Sequence, residues 1–401
     1  MMLGFLLARM GVSVVVLEKH SDFLRDFRGD TIHPSTLELM YELGLLQEFL
    51  KRPHQELTEI SAQIGNKMVK MGDFTHLPTH SKMLVLMPQW DFLNFVVEQG
   101  QPYRGFQVMM QDEATGLLEE SGRIVGVRAN TPEGELEVFA TLTVGADGRH
   151  SIVRQQAGLE VRDFGAPMDV LWLRISRRSG DPDQTLGHAE PGKILVMINR
   201  EDYWQCGYVI AKGEFDNIRK RGIEHFREDL ASLEPFWGDR VGELHDWNDV
   251  SLLTVKVDRL ERWSRPGLLC IGDAAHAMSP IGGVGINLAI QDAVAAANIL
   301  GPPLIAGNLT DMDLEKVQRR REFPTRTMQR LQVLVQNRII GRVLTSGQPL
   351  SVPWVIKLMQ RWPLLRRIPA RVVGMGFRPE HVHPHESAAR THSEDLPRKV
   401  S

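Results

Sequence analysis

The sequence predicts an α/β fold, in which a parallel sheet with flanking helices carries an inserted antiparallel sheet and ends in further helices. Three stretches carry that prediction. The chain opens with an apolar helix, a glycine stop and a β-branched run, from Met1 to Glu18. A second apolar strand, Leu268 to Ile271, runs into a glycine-rich loop and then a helix. Between these, from Val170 to Lys212, strand-like runs follow one another across short turns.

Taken in order, residues 1 to 10 have a helical pattern, and Gly11 ends that helix as a C-cap would. The opening looks superficially like a secretory signal. It lacks a basic region ahead of the apolar run and feeds straight into a strand, so it reads as a buried helix. Val12 to Leu17 has the composition of a buried parallel strand, closed by Glu18. Pro34 to Leu50 is amphipathic, with Leu37, Met40, Tyr41 and Leu45 on one face. Leu57 to Leu86 is strand-rich, and Gln89 to Gln99 returns to helix through Phe92, Phe95 and Val96. Arg123 to Val127 and Leu136 to Thr143 form a hairpin about Pro132-Glu133-Gly134. Leu142 to Ala146 is a short strand running into Asp147-Gly148. Val170 to Ile175, Ile194 to Ile198 and Tyr203 to Ala211 suit an antiparallel sheet with one face over a cavity or core. Helices are expected over Ile218 to Leu233 and Gly285 to Leu300, and a disordered tail over His381 to Ser401.

With 401 residues the chain suits one large domain or two interleaved ones. Apolar residues at 42 % and charged residues at 24 % are ordinary for a soluble globular protein, and the net charge of −3 calls for no nucleic acid. Cys206 and Cys270 cannot build a disulfide framework or a tetrahedral metal site. They read as two buried thiols in a reducing, cytoplasmic setting. No run reaches ~18 uninterrupted apolar residues, so no spanning helix is expected. From Phe323 to Pro379 there is no acidic residue, while Arg326, Arg330, Arg338, Arg342, Lys357, Arg361, Arg366, Arg367, Arg371 and Arg378 all fall there. Such helices pack their apolar faces on the body of the protein, attract an anionic cofactor, or lie on an anionic membrane.

The strongest chemistry lies in the string from Gly267 to Asn287, Gly-Leu-Leu-Cys-Ile-Gly-Asp-Ala-Ala-His-Ala-Met-Ser-Pro-Ile-Gly-Gly-Val-Gly-Ile-Asn. An apolar strand delivers Asp273 to its C-terminal end, where open α/β sheets bind ligands and a carboxylate accepts bonds from polyol hydroxyls. Pro280 and the glycines that follow let a flat ring approach the backbone. The helix from Gly285 then offers free N–H groups and a positive dipole end, with Asn287 as a further donor in its first turn. A second string, Gly145-Ala146-Asp147-Gly148-Arg149-His150-Ser151, places another carboxylate and a helix start at a strand end.

Together these strings resemble the para-hydroxybenzoate hydroxylase family of single-component flavin monooxygenases, and the resemblance runs from Met1 to about Leu300. It implies a Rossmann-like FAD-binding domain in three pieces, 1–56, 88–165 and 259–330. The substrate domain would take 57–87 and 166–258, ahead of C-terminal helices over 331–380. It implies FAD and NAD(P)H as cofactors, and transfer of one oxygen atom of O2 through a flavin C4a-hydroperoxide to an aromatic or other electron-rich small molecule. The cofactor-binding residues it implies are Glu18, Arg28, Gln89, Asp147, Asp273, Pro280, Gly283, Gly285, Ile286 and Asn287. Glu18 would meet the adenosine ribose. His276, on the turn after Asp273, reads as structural, and no catalytic base is assigned.

Trp172, Ile194, Met197, Trp204 and Tyr208, on the inserted sheet, are expected to line an apolar substrate pocket. Peripheral membrane contact and a homodimer remain open readings of the partner surface. One departure matters. The family opens with a strand and a Gly-x-Gly-x-x-Gly phosphate cradle, and neither precedes Met1. Either the start is internal to a longer chain, or this form holds FAD weakly on a less stable sheet. The rivals are a degenerate flavoprotein without turnover and another flavin oxidoreductase of the same fold. The paired tryptophans of flavin halogenases are absent around Trp172.

Overall fold

A computed structural model of the chain describes residues 1–24, 31–182 and 186–383. The first helix, Met2–Arg9, is buried from Met2 through Ala8. No charged side chain precedes Arg9, so the helix enters the core with apolar side chains throughout. Strand Val14–Glu18 follows and pairs in parallel with Phe106–Met110, Val14 opposite Phe106. Among the described residues that is its one strand neighbour, and Val15 is 43 % exposed, where the apolar pattern predicts burial on both faces.

A second parallel pair, Thr143–Gly145 with Leu268–Cys270, carries Ser264–Arg265 antiparallel at its side. Among the described residues no strand hydrogen-bonds to both groups. One hydrophobic core nevertheless takes residues from both. Helix Val284–Ile305 runs through it, packed between Met2–Arg9 and helix Asp311–Val335. By length and composition alone this helix could cross a membrane. Its buried polar side chains Asn287, Gln291 and Asp292 are instead bonded to Thr31, Glu380 and Arg321, which makes it an interior helix.

The inserted sheet has seven strands, antiparallel except where Leu186–Glu190 runs parallel to Glu59–Ile64. Their order is Ser251–Leu253, Met168–Ser176, Tyr203–Ala211, Lys193–Asn199, Leu186–Glu190, Glu59–Ile64 and Lys67–Asp73. Alternation along these strands splits the sheet into two faces. Leu171, Leu173, Leu195, Met197, Trp204, Cys206 and Tyr208 pack with Phe226, Leu230 and Trp237, under helix Ile223–Leu233. Val170, Trp172, Ile194 and Val209 take the opposite face, together with Ile281, Ile340 and Leu344. Burial pushes the Cys270 thiol up to about 12 and the Cys206 thiol well above its usual range, so both are inert, as expected of buried thiols.

Three details differ from the sequence pattern. The helices expected over 34–50 and 218–233 each break, at Gly44 and Gly222, where φ is 73° and 93°. The apolar periodicity passes over both breaks, so it does not reveal them. The last difference is at the C-terminal end. His381 to His383, expected in a disordered tail, are docked: His381 and the Val382 N–H bond the Glu42 carboxylate, and the His383 N–H donates to Asn298 Oδ1 at 3.1 Å. Ahead of them, helices Trp354–Arg361 and Arg367–Met375 turn one side onto strand Lys67–Asp73. There Gln360 Nε2 donates to Lys70 O at 2.7 Å.

Candidate active site

Strand Leu268–Cys270 ends in a tight turn, Gly272–Ala274, which presents Asp273 half-buried. A Cβ on Gly272 would lie 3.0 Å from Ala289 Cβ, so the bare glycine lets the turn seat against helix Val284–Ile305. The Gly272 N–H donates to Asp292 Oδ2 at 3.1 Å. Arg149, from the Asp147-Gly148 turn, donates through Nε to Asp273 Oδ2 at 3.1 Å. Arg154 donates to the Ala274 carbonyl at 3.3 Å. The two strings thus form one site. The buried Arg149 Nη1 has no hydrogen-bond partner among the described residues, so it can still serve an acceptor.

Asp147 itself is engaged locally. Its carboxylate accepts from Ser151 Oγ at 2.5 Å and from the Val153 N–H at 3.2 Å, capping helix Ile152–Gln156. It also holds the turn that carries Arg149.

After Pro280, Gly282 and Gly283 adopt left-handed backbone with φ of 76° and 61°, and helix Val284–Ile305 begins. A Cβ on Gly283 would come within 2.7 Å of Thr31 Oγ1. A Cβ on Gly285 would lie 4.0 Å from Asp273 Oδ1, so the helix start and the carboxylate border the same space. Ile286 turns toward the core. Asn287 is buried and fully used. Its Nδ2 donates to Thr31 O at 2.8 Å and Gly283 O at 3.0 Å. Its Oδ1 accepts from the His33 N–H and Thr36 Oγ1, each at 2.8 Å. Asn287 is therefore a pin between the loop and the strand Thr31–Ile32.

Gln332 supports the loop from the other side, donating to Ser279 O and Ile281 O, each at 2.9 Å. Sequence reading missed it, though Gln329, Gln332 and Gln336 share a helical face that was there to be seen. His276 has the structural role expected of it. Its Nε2 lies 2.5 Å from Asp292 Oδ2, and Arg321 Nε donates to Asp292 Oδ1 at 2.9 Å. Burial works to raise the Asp292 carboxyl, but His276 and Arg321 overcome it and hold the carboxyl below the usual carboxylate range.

At the other end, Glu18 closes its strand and accepts from the His20 N–H at 3.1 Å. Beside it the Asp112 N–H donates to Glu18 O at 3.0 Å, and the buried Asp112 Oδ2 has no hydrogen-bond partner among the described residues. Sequence reading missed Asp112. It borders an open groove of about 450 Å³ with Met110, Thr131 and Leu136. Gln89 opens helix Gln89–Gly100, half-buried, just past the strand Leu84–Leu86 that pairs with Thr31–Ile32. Arg28 lies outside the described residues.

The pocket residues divide by strand parity. Trp172 and Ile194 lie on the face that meets Ile281. Met197, Trp204 and Tyr208 lie on the opposite face, inside the core under helix Ile223–Leu233, and Trp204 Nε1 donates to Asp181 there.

These residues fit FAD. The orphaned Arg149 Nη1 and Asp112 Oδ2 lie at the two motif ends, and the two left-handed glycines leave backbone bare between Asp273 and the helix start.

Residues 1–330 match the FAD binding domain family. The chain is 32 % identical over 380 residues to 6-methylpretetramide 4-monooxygenase of Streptomyces rimosus, covering 91 % of this chain and 88 % of that one. Its fold is that of PqsL, a probable FAD-dependent monooxygenase from Pseudomonas aeruginosa, at TM-score 0.72 and 20 % identity over 86 % of this chain and 94 % of the other. It is also that of the anhydrotetracycline hydroxylase OxyS from Streptomyces rimosus, at TM-score 0.71 and 22 % identity over 93 % and 73 %. With Asp273, Arg149 and the glycine loop brought into one site, the chain belongs to the FAD-binding-domain family of flavoprotein monooxygenases.

Proposed function

We propose that this FAD-dependent monooxygenase hydroxylates a fused-ring aromatic molecule held against Val170, Trp172, Ile194 and Val209, with NAD(P)H as reductant. The observation that carries this is the apolar sheet face meeting Ile281, the middle of the glycine loop. FAD, when bound, supplies the oxygen chemistry: two electrons from NAD(P)H, one oxygen atom to the substrate and the other to water. The chain's own residues position and insulate. Asp273 and Arg149 hold polyol hydroxyls, and Glu18 and Asp112 serve the adenosine end. The first turn of Val284–Ile305 presents unpaired N–H groups that stabilise negative charge on a reduced ring. Trp172 lies over Gly207, whose missing side chain leaves it room: a Cβ there would be 3.2 Å from the indole. That wall excludes water from the reacting centre.

Similarity to an enzyme named for 6-methylpretetramide across nearly the whole chain favours several fused rings over one. The two buried thiols suit a reducing, cytoplasmic compartment. The test is turnover of FAD-loaded protein with NADPH and isotopically labelled O2 against fused-ring and single-ring phenols. One labelled oxygen atom in a fused-ring product supports the reading. Turnover of single-ring phenols alone overturns the substrate class, and NADPH oxidation yielding only peroxide with every phenol overturns hydroxylation of this group.

A further inference from the structure

Helices Trp354–Arg361 and Arg367–Met375, joined through Pro363–Arg366, present an outer side that the described structure does not cover. Their inner side is occupied: Met359, Ala370 and Gly374 are buried, and Arg367 reaches His76. On the outer side Trp354 is 75 % exposed, Trp362 59 %, Leu364 65 % and Ile368 61 %. Interleaved with them are Lys357, Arg361 and Arg371, all exposed. None of these three cations forms an ion pair among the described residues. Elsewhere on the surface, by contrast, Arg123 pairs with Asp311, Arg128 with Glu137 and Lys70 with Glu59. The contrast has a simple cause: no acidic residue lies between Phe323 and Pro379. On the first helix Trp354, Lys357, Leu358 and Arg361 recur at helical spacing, so cation and indole share one face.

We propose that this surface docks peripherally on an anionic phospholipid bilayer. Trp354, Trp362, Leu364 and Ile368 would enter the headgroup–acyl boundary, and Lys357, Arg361 and Arg371 would face lipid phosphates. Tryptophan suits that boundary because its ring is apolar and its N–H is polar, and arginine keeps its charge in the headgroups while its stem lies on apolar surface. A second copy of this chain fits less well. A two-fold contact lays the patch on itself and sets unpaired cations against cations, with no carboxylate nearby to relieve them. An acidic macromolecule would answer the charges and leave four large apolar side chains in water. The docked face is close to the chemistry: the inner side of the same helix places Val373 Cγ2 3.8 Å from where a Cβ on Gly282 would stand.

The test is sedimentation of the purified full chain with vesicles of phosphatidylcholine alone or mixed with phosphatidylglycerol. Binding is expected only to the mixed vesicles. It should fall with added salt, as the screening length shortens from ~10 Å at 0.1 M to ~3 Å at 1 M. The double variant Trp354→Ser/Trp362→Ser should bind about tenfold more weakly, and Lys357→Glu/Arg361→Glu/Arg371→Glu should lose the preference for anionic lipid. All these side chains are exposed, so far-UV circular dichroism and thermal unfolding of the variants should match the parent. Failure to sediment with anionic vesicles overturns the proposal. So does a dimer in solution that Trp354→Ser/Trp362→Ser dissociates, because a second copy then covers the face.

Discussion

Acidification should loosen the glycine loop through one residue, His33. Its backbone N–H bonds Asn287, and its Nε2 lies 3.0 Å from the Gly282 carbonyl, with the Val373 carbonyl also in bonding reach. Burial pushes its pKa from 6.5 down to about 4, although both carbonyls favour the protonated ring. The folded protein therefore keeps His33 neutral, while the unfolded chain protonates it near 6.5. Between those values the unfolded state binds more protons. The stability gained is complete above the unfolded value and is lost as pH falls toward the folded one. At about 1.36 kcal/mol per pH unit, the drop from 6.5 to about 4 amounts to about 3 kcal/mol. In a chain of 401 residues that is a melting-temperature shift of about 4 °C. The comparison is wild type against His33→Gln, which keeps a donor for Gly282 and cannot titrate. Thermal unfolding followed by circular dichroism at matched ionic strength, from about pH 7.5 to about pH 4, should show wild type losing about 4 °C more than the variant. Every other titrating group is common to both, so parallel melting curves would refute the role given to His33.

Four further outcomes follow from the same geometry. Asp273→Ala should weaken FAD binding at least about tenfold by flavin fluorescence titration, and Arg149→Met should weaken it by a comparable factor, because each loses a charged partner at a half-buried site. Gly283→Ala should cost about 1–3 kcal/mol in urea unfolding, since its φ is 61° and the new methyl would meet Thr31. Trp172→Ala should raise KM for the aromatic substrate with little loss of stability, whereas Met197→Ala should cost about 2–5 kcal/mol of stability and leave KM unchanged. Arg321→Met should destabilise by about 3–5 kcal/mol, because it leaves His276 as the remaining ion-pair partner of the buried Asp292 and Arg320 as that of Glu380.

The parallel strands and the central helix were legible because each is a local pattern: an apolar run, a turn glycine, a helical stripe. Asp273 was legible as a strand-end carboxylate. Its partner Arg149 was not, because the contact joins segments 124 residues apart and no local periodicity encodes it. The two faces of the inserted sheet were not separable in the sequence, for a different reason. Strand Tyr203–Ala211 is buried at nearly every position, so its sequence carries no alternation to tell one face from the other. Only the register, with Gly207 opposite Trp172 and Cys206 opposite Leu173, separates the side meeting the loop from the side meeting helix Ile223–Leu233. Asn287 shows the limit of motif reading. Its presence in the string is recognisable, but its four bonds to Thr31, Gly283, His33 and Thr36 become visible only when residues 31–36 are folded against it.

The docked segment Arg378–His383 bears on how the molecule is made. Arg321 spends its guanidinium on Asp292, on Glu380 and on the Arg378 carbonyl, while the Glu380 backbone bonds Gln291. During synthesis Asp292 and Arg321 leave the ribosome long before Glu380. Until that residue emerges, Arg321 has Asp292 but not Glu380 to meet its guanidinium. A segment made late therefore completes the pairing of a guanidinium buried in the core.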